Sequence, residues 1–455
     1  MLFYTNLKRC VVITTALFLA FAGVGCKKYL EKTTDKKLVV ISSLNDLQSL
    51  LDNFTFVNYK DEAASEISSD NYYVTDADYE SRLDYMRNTY IWNKENVFPL
   101  SINDWSYSYD NIYRANVVLD NIEKFGNSVE ANNIKGQALF LRAKNFLQNA
   151  IVWCVAYDET SAANDLGLPL RLDPDFNKLS VRSNLKDTYG QIVDDLMQAI
   201  ELLPNTAIHS LRPSKAAAYG LAARAYLSMR NYAKAGLYAD LCLQLKNSIS
   251  DYNNSNVTAP FPFPEFSSSE IIYSSLINMP SILAMSRLKI DPLLFKSYDT
   301  ADLRRSLFFK DNGNSTYAYK GSYSGSSTFW SGIATDEILL MRAECFARAG
   351  NKELALNDLN SLLEKRWKRN VSYIPIEAND ANEALAKILI ERRKELIFRG
   401  LRWMDIKRLN KEGANITLTR TVKGQTYTLA PNDLRFALAI PEDVILITGM
   451  PQNPR

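Results

Sequence analysis

The chain has 455 residues, 47% hydrophobic and 23% charged, with 53 basic residues against 51 acidic ones. A chain of that length can bury a large core, and its balanced charge gives no reason to expect nucleic acid or an anionic lipid surface as a partner. A single histidine, His209, excludes a zinc-protease helix and argues against any His-based triad, and in the polar stretch NTAIHSLRPS it reads as a solvated loop residue.

Residues 1–25 read as a lipoprotein signal peptide. Lys8 and Arg9 form a basic start, and the uncharged run from Val11 to Val24 is shorter than the roughly 20 apolar residues of a membrane span. The run stops at small residues directly before Cys26, the arrangement a lipoprotein signal peptidase cleaves; Cys26 would then be the acylated first residue of the mature chain. The alternative is an ordinary secretory signal or N-terminal anchor with a chance cysteine, and Gly23 stands where such boxes usually carry Leu. After Cys26, the aperiodic KKYLEKTTDKK suits a tether, and no second long apolar run follows. Cys154, Cys242 and Cys345 sit in apolar, helix-like runs without CxxC spacing, so they read as buried small hydrophobes and not as a disulfide framework.

Helical periodicity begins in SSLNDLQSLLDN, where Ser43 is a natural N-cap and Leu44, Leu47 and Leu50/Leu51 share a face. Residues 57–110 are rich in aromatics, and Tyr72, Tyr73 and Tyr79 alternate with Asp70, Asn71, Asp76 and Asp78. Aromatic faces beside amides and carboxylates suit a sugar, which offers an apolar C–H face and a rim of hydroxyls. From Trp105 the spacing of WSYSYDNIYRANVVLDNI is that of a packing helix. Further helices are predicted over 133–157 and, after a loop rich in Asp, Gly and Pro, over 185–203, stopped by Pro204.

Residues 214–245 carry Ala223, Tyr226, Leu227 and Ala235 at the offsets of a tetratricopeptide repeat, whose small residues let antiparallel helices approach closely. A second copy over 339–363 places Ala343, Phe346, Ala347, Gly350 and Ala355 likewise, and 139–146 matches half a repeat through Ala143 and Phe146. Between the two clear copies, 247–335 is a long irregular insertion with a second aromatic cluster, Tyr317, Tyr319, Tyr323, Phe329 and Trp330, among Gly and Ser. A last helix is predicted over 380–409, held by the pairs Glu395–Arg399, Arg402–Asp405 and Asp405–Arg408 with Trp403 stacked on guanidinium groups. ITLTRTV and TYTLA, flanking Lys423-Gly424-Gln425, form a hairpin.

These elements predict an all-α-dominated fold: degenerate tetratricopeptide-like hairpins, long irregular insertions and a small C-terminal β-hairpin. The mature chain, 26–455, reads as a single domain with an N-terminal helical part (26–245) and a second part (246–455) holding the insertion, the C-terminal repeat and the final helix. Candidate ligand contacts are Tyr72, Tyr73, Tyr79, Tyr319, Tyr323 and Trp330. There is no P-loop, GxGxxG or GxSxG motif, and no cofactor or metal is expected. Asp70, Asp76, Asp78 and Glu80 could supply a glycosidase pair but read more simply as solvated loop residues, with a calcium nearby as an option.

The chain resembles the SusD/RagB family of outer-membrane nutrient-binding lipoproteins of Bacteroidetes-type bacteria. The likeness runs from Cys26 to Arg455 through CKKYLE, YDNIYRANVVLDNI, LRAKNF, GLPL, AARAYLSMRNYAKA, YDTADLRR, TDEILLMRAECFARAG and IPEDVILITGMPQNP. Its most specific element is ERRKELIFRGLRWMD. Arg399 stands where Glu is frequent in the family, and the chain ends NPR where NPGY is common. The resemblance implies a lipid-anchored, non-catalytic protein facing the exterior. It also implies capture of a glycan or peptide and delivery to a SusC-like TonB-dependent transporter, over which it sits as a hinged lid. The family's binding residues lie in variable loops and share no motif. Two rival readings are a surface glycoside hydrolase using the loop carboxylates and an envelope assembly scaffold.

Overall fold

Ser43 starts the first helix, α1 (Leu44–Leu51), by a capping box: its hydroxyl accepts from the Asp46 amide at 3.2 Å and its amide donates to the Asp46 carboxylate at 2.9 Å. The computed structural model describes residues 41–266 and 268–455, so the signal segment, Cys26 and the tether lie outside the described residues. The other long helices are α2 (Asp104–Ile122), α3 (Val129–Trp153), α4 (Leu185–Leu202), α5 (Lys215–Ser228), α6 (Tyr232–Leu245), α7 (Thr335–Arg348), α8 (Lys352–Glu364), α9 (Ala381–Glu395), α10 (Arg402–Asn410) and the short α11 (Glu442–Thr448). From α2 to α7 each helix packs on the next, and α7 also carries α8 and α9. Residues 43–455 form one compact unit.

Small side chains make that stacking close, as their spacing predicts. Ala223, Ala235, Ala343 and Ala355 are fully buried. A Cβ built on Gly236 of α6 would come within 2.9 Å of the Cys345 Cβ of α7, so a side chain there would push the two helices apart. Cys154, Cys242 and Cys345 are free and buried.

Strands are few, and among the described residues they form five two-stranded antiparallel pairs. These are β1 (Tyr72–Tyr73) with β5 (Lys289–Ile290), β2 (Leu166–Pro169) with β3 (Arg182–Asn184), β4 (Ile271–Tyr273) with β8 (Ile333–Ala334), β6 (Phe309–Asp311) with β7 (Tyr317–Tyr319), and β9 (Leu418–Val422) with β10 (Gln425–Leu429). The last is the expected hairpin; Lys423 and Gly424 turn it with φ of 52° and 76°, the left-handed pair that a two-residue loop requires.

The predicted final helix is two helices. Between α9 and α10 the chain breaks over 396–401, with φ of 56° at Phe398 and 73° at Gly400. Phe398 turns inward against Phe329 (centroids 4.5 Å) and Tyr319 (4.9 Å), and the Gly400 amide donates to Glu66 Oε1 at 2.7 Å. These tertiary contacts outweigh the helical tendency of the segment. The break rearranges its ion pairs. Glu395 binds Arg304 (2.9 Å) and Arg366 (2.8 Å) instead of Arg399; Arg399 binds Asp336 (3.1 Å), and Arg402 binds Asp70 (2.7 Å). Asp405–Arg408 forms at 2.9 Å as expected. Trp403 packs on Phe436, not on a guanidinium group.

The result is a buried chain of charge joining three parts of the sequence. Arg304 of the insertion holds Asp302, Glu391 and Glu395; Glu395 holds Arg366; Arg366 holds Glu270; and the Tyr323 hydroxyl links Glu270 (2.7 Å) to Asp336, which binds Arg399. Arg366 and Glu270 are both fully buried. Removing one member of such a chain strands its partners in a medium that cannot solvate them. Arg366→Leu is therefore expected to lower stability by about 3–5 kcal/mol, read as a fall in the urea midpoint with an unchanged slope.

Candidate functional site

The irregular insertion forms a cleft of about 520 Å³, lined by Met279, Pro280, Ser281, Ala284, Met285, Ser286, Lys310, Asn312, Ala318, Ser327 and Thr328. Three loops make it: 279–288, the β6–β7 hairpin and the serine-rich turn 322–328.

Each wall is held from behind. The root of 279–288 is zipped to residues 58–61: the Leu276 amide donates to Asn58 O (2.7 Å), and the Asn278 amide to Asp61 O (2.9 Å). Asp61 is in turn fixed by Lys144 of α3, an ion pair buried on both sides, and by the Ser331 hydroxyl (2.7 Å). In the hairpin the Asn312 amide donates to Thr316 O and its side chain to Thr316 Oγ1, both at 3.0 Å. In the serine turn, the Ser322 and Ser324 hydroxyls both donate to Thr328 O at 2.6 Å. At the rim, Arg82 Nη1 donates to Ser281 Oγ at 2.8 Å. Hydroxyls, an amide, a lysine and two thioethers thus face one space, a set that can grip a polyhydroxylated ligand from its rim and from its apolar face.

The six aromatic candidates divide. Tyr72, Tyr319, Tyr323 and Trp330 are interior and offer no ring face to a ligand in this structure. The Tyr72 hydroxyl donates to Ile67 O at 2.9 Å; the Trp330 indole donates to Ser274 Oγ at 2.9 Å, and the Arg399 guanidinium lies 4.2 Å from its ring centroid. Tyr319 packs edge-on to Phe329, and Tyr323 belongs to the buried charge chain. They form the core on which the cleft is built. Tyr73 and Tyr79 are half-buried; Tyr73 lies opposite Lys289 across β1–β5, at the end of the 279–288 loop.

The loop carboxylates are held in structural contacts. Asp70 binds Arg402 and Arg393, which keep its carboxyl well below the usual carboxylate range against the opposing effect of burial. Asp76 accepts from the Lys423 amide, Asp78 from Thr75, and Glu80 pairs with Lys423. Among the described residues no group of three or more His, Cys, Asp or Glu side chains is placed to hold a metal. His209 is exposed in its loop.

A family model for SusD-like, starch-binding proteins associating with the outer membrane matches residues 28–227, and the SusD family model matches 308–437. The chain belongs to the SusD/RagB family. A SusD-like protein, P2, of Formosa agariphila is 26% identical over 328 residues, 59% of this chain and 65% of that relative. A SusD superfamily protein of Bacteroides thetaiotaomicron superposes with a TM-score of 0.73 at 21% identity, covering 91% of this chain and all of that one. A SusD-like carbohydrate-binding protein of Bacteroides vulgatus gives 0.68 at 21% identity, covering 90% and 97%. At these identities the solved structures show the fold alone. In this SusD-family chain the ERRKELIFRGLRWMD element is structural: Glu391, Arg392, Arg393, Glu395, Arg399, Arg402 and Asp405 are all ion-paired.

Sequence reasoning named the insertion but missed the lining. Met279, Ser281, Met285 and Asn312 belong to no periodic pattern, and the signal available was that absence of period in a stretch that nonetheless carries apolar and hydroxyl side chains.

Beside the root lie three buried carboxyls. Burial, aided by Asp104, pushes Glu62 up to about 8; burial pushes Glu66 up to about 7 and Asp104 up to about 6. Each holds a proton in the folded chain that it has lost in the unfolded one at the same pH, so stability falls as pH rises from about 5 to about 8 and levels off above. Glu62→Gln keeps the shape without the titration, and thermal melts across that range should show a shallower decline for this variant.

Proposed function

We propose that this chain is a non-catalytic, cell-surface nutrient-binding lipoprotein that captures an oligosaccharide in the insertion cleft and passes it to a SusC-like TonB-dependent outer-membrane transporter. The cleft carries this reading: its hydroxyl, amide and thioether lining contains no carboxylate, so it offers groups for binding and none for acid–base cleavage of a glycosidic bond. Family membership supports the same class, since the family is one of outer-membrane-associated, carbohydrate-binding proteins. Anchoring rests on Cys26, and no helix among the described residues is long and apolar enough to cross a membrane.

A protein partner is supported by an exposed apolar rim. Phe176, Leu179 and Ile447 border a second groove of about 410 Å³ beside Tyr113 and are 77%, 75% and 81% exposed. Apolar side chains gathered on one rim are more typical of a docking face than of free surface.

Titration of the purified chain against an oligosaccharide panel and a peptide library is expected to give saturable binding to a sugar and no turnover. Asn312→Ala with Thr328→Ala should weaken that binding about tenfold or more while leaving the melting temperature unchanged. Turnover of the sugar, or binding unaffected by the double variant, would contradict the assignment; binding confined to peptides would replace the sugar. In cells, Cys26→Ala should move the protein from the membrane to the soluble fraction, and the wild-type chain should co-purify with a large barrel protein.

A further inference from the structure

The cleft is ringed by positive charge that no carboxylate among the described residues pairs with. Lys310 lines it. Arg82 donates to Ser281 Oγ (2.8 Å), Arg287 to Ser281 O (3.3 Å) and Lys289 to Ser286 O (3.2 Å), so three more cationic heads each touch a lining residue. None of the four forms an ion pair among the described residues. Several other cations among the described residues are paired, as Arg142 is with Asp195, Arg224 with Glu337 and Arg342 with Asp358.

Two carboxylates close in sequence to these cations, Asp311 and Asp78, are engaged elsewhere. Asp311 follows Lys310 on β6, where successive side chains face opposite ways, and it accepts from the Gly313 amide at 2.7 Å. Asp78 accepts the Thr75 hydroxyl at 2.7 Å; what Arg82 takes from it is the main-chain oxygen. Behind the hairpin a fifth cation, buried Lys320, is bound by the carbonyls of Val257 and Ala259, and desolvation together with Lys310 draws its pKa down. With 53 basic and 51 acidic residues overall, a carboxylate-free patch of this kind is a local feature and not a reflection of net charge.

We propose that the cleft takes an anionic oligosaccharide, one bearing uronate carboxylates or sulfate esters. This rests on the reading of the cleft as the nutrient site and specifies its ligand. The sugar's anionic groups meet Lys310, Arg82, Arg287 and Lys289 around the rim; its hydroxyls meet Ser281, Ser286, Asn312, Ser327 and Thr328; its C–H face meets Met279 and Met285. An acidic peptide shares the charge, but the run of small hydroxyl side chains fits a ring bearing many hydroxyls better than a backbone with one donor and one acceptor per residue.

The test uses two matched pairs on the purified full chain: a galacturonate oligomer with its methyl ester, and a sulfated galactan oligomer with its desulfated counterpart. Polyglutamate serves as the peptide control. At least one charged member is expected to bind about tenfold more tightly than its uncharged twin, with the gap closing as sodium chloride is added. Lys310→Gln combined with Arg82→Gln, both at solvent-accessible positions, should abolish the gap, bringing the affinity for the charged member down to that for its uncharged twin in the same variant. Uncharged sugars binding as tightly as charged ones in both pairs would overturn this inference and leave the proposed function standing. Polyglutamate binding as tightly as the charged sugars would overturn the sugar assignment. Binding of no sugar at all would overturn the proposed function as well.

Discussion

The structure depends on one buried chain of charge, from Asp302 and Arg304 through Glu395, Arg366 and Glu270 to Tyr323, Asp336 and Arg399. Its members come from the insertion, from helix α7 and the turn after α8, and from the α9–α10 break. The insertion has little regular secondary structure, so its backbone alone would not fix its shape. Guanidinium–carboxylate pairs with fixed geometry replace that missing regularity, and burial makes them costly to break. Burial also acts on the protonation of Glu270, which desolvation pushes up, with Asp336 and Glu395 adding to the effect and Arg366 opposing it.

Around this chain the aromatics of the insertion close into a second core. Phe398, turned inward by its left-handed backbone, joins Phe329 and Tyr319, while Trp330 lies between the Arg399 guanidinium and Ser274. The loops outside that core are short and braced by their own hydroxyls, so the cleft presents small polar groups and methionines on a rigid base. A fixed base with exchangeable loops allows the ligand to change by loop substitution while the scaffold is kept.

What was legible in the sequence was local. Ser43 with Asp46, the paired alanines of the two repeats and the Lys423-Gly424 turn all work within a few residues, and each forms as its spacing requires. The aromatic clusters were found but not their direction. Tyr72 and Tyr73 are neighbours, yet alternation on β1 buries one and leaves the other half-exposed, and only the pairing with β5 decides which. The final helix was misread for the same reason. Glu395 and Arg399 stand at ideal helical spacing, but their partners are Arg304, Arg366 and Asp336, from 29 to 91 residues away along the chain. The cleft lining was hidden because it combines loops separated in sequence, none with a period to read.

The central claim is that ligand enters the insertion cleft and that the aromatic core beneath it supports the site without touching the sugar. Methyl-labelled methionine NMR tests this directly, since Met279 and Met285 line the cleft whereas Met404 is buried in the helical core. Saturation with a bound oligosaccharide should shift the Met279 and Met285 methyl signals and leave Met404 in place. Shifts at other methionines with Met279 and Met285 unmoved would put the ligand elsewhere and contradict the account.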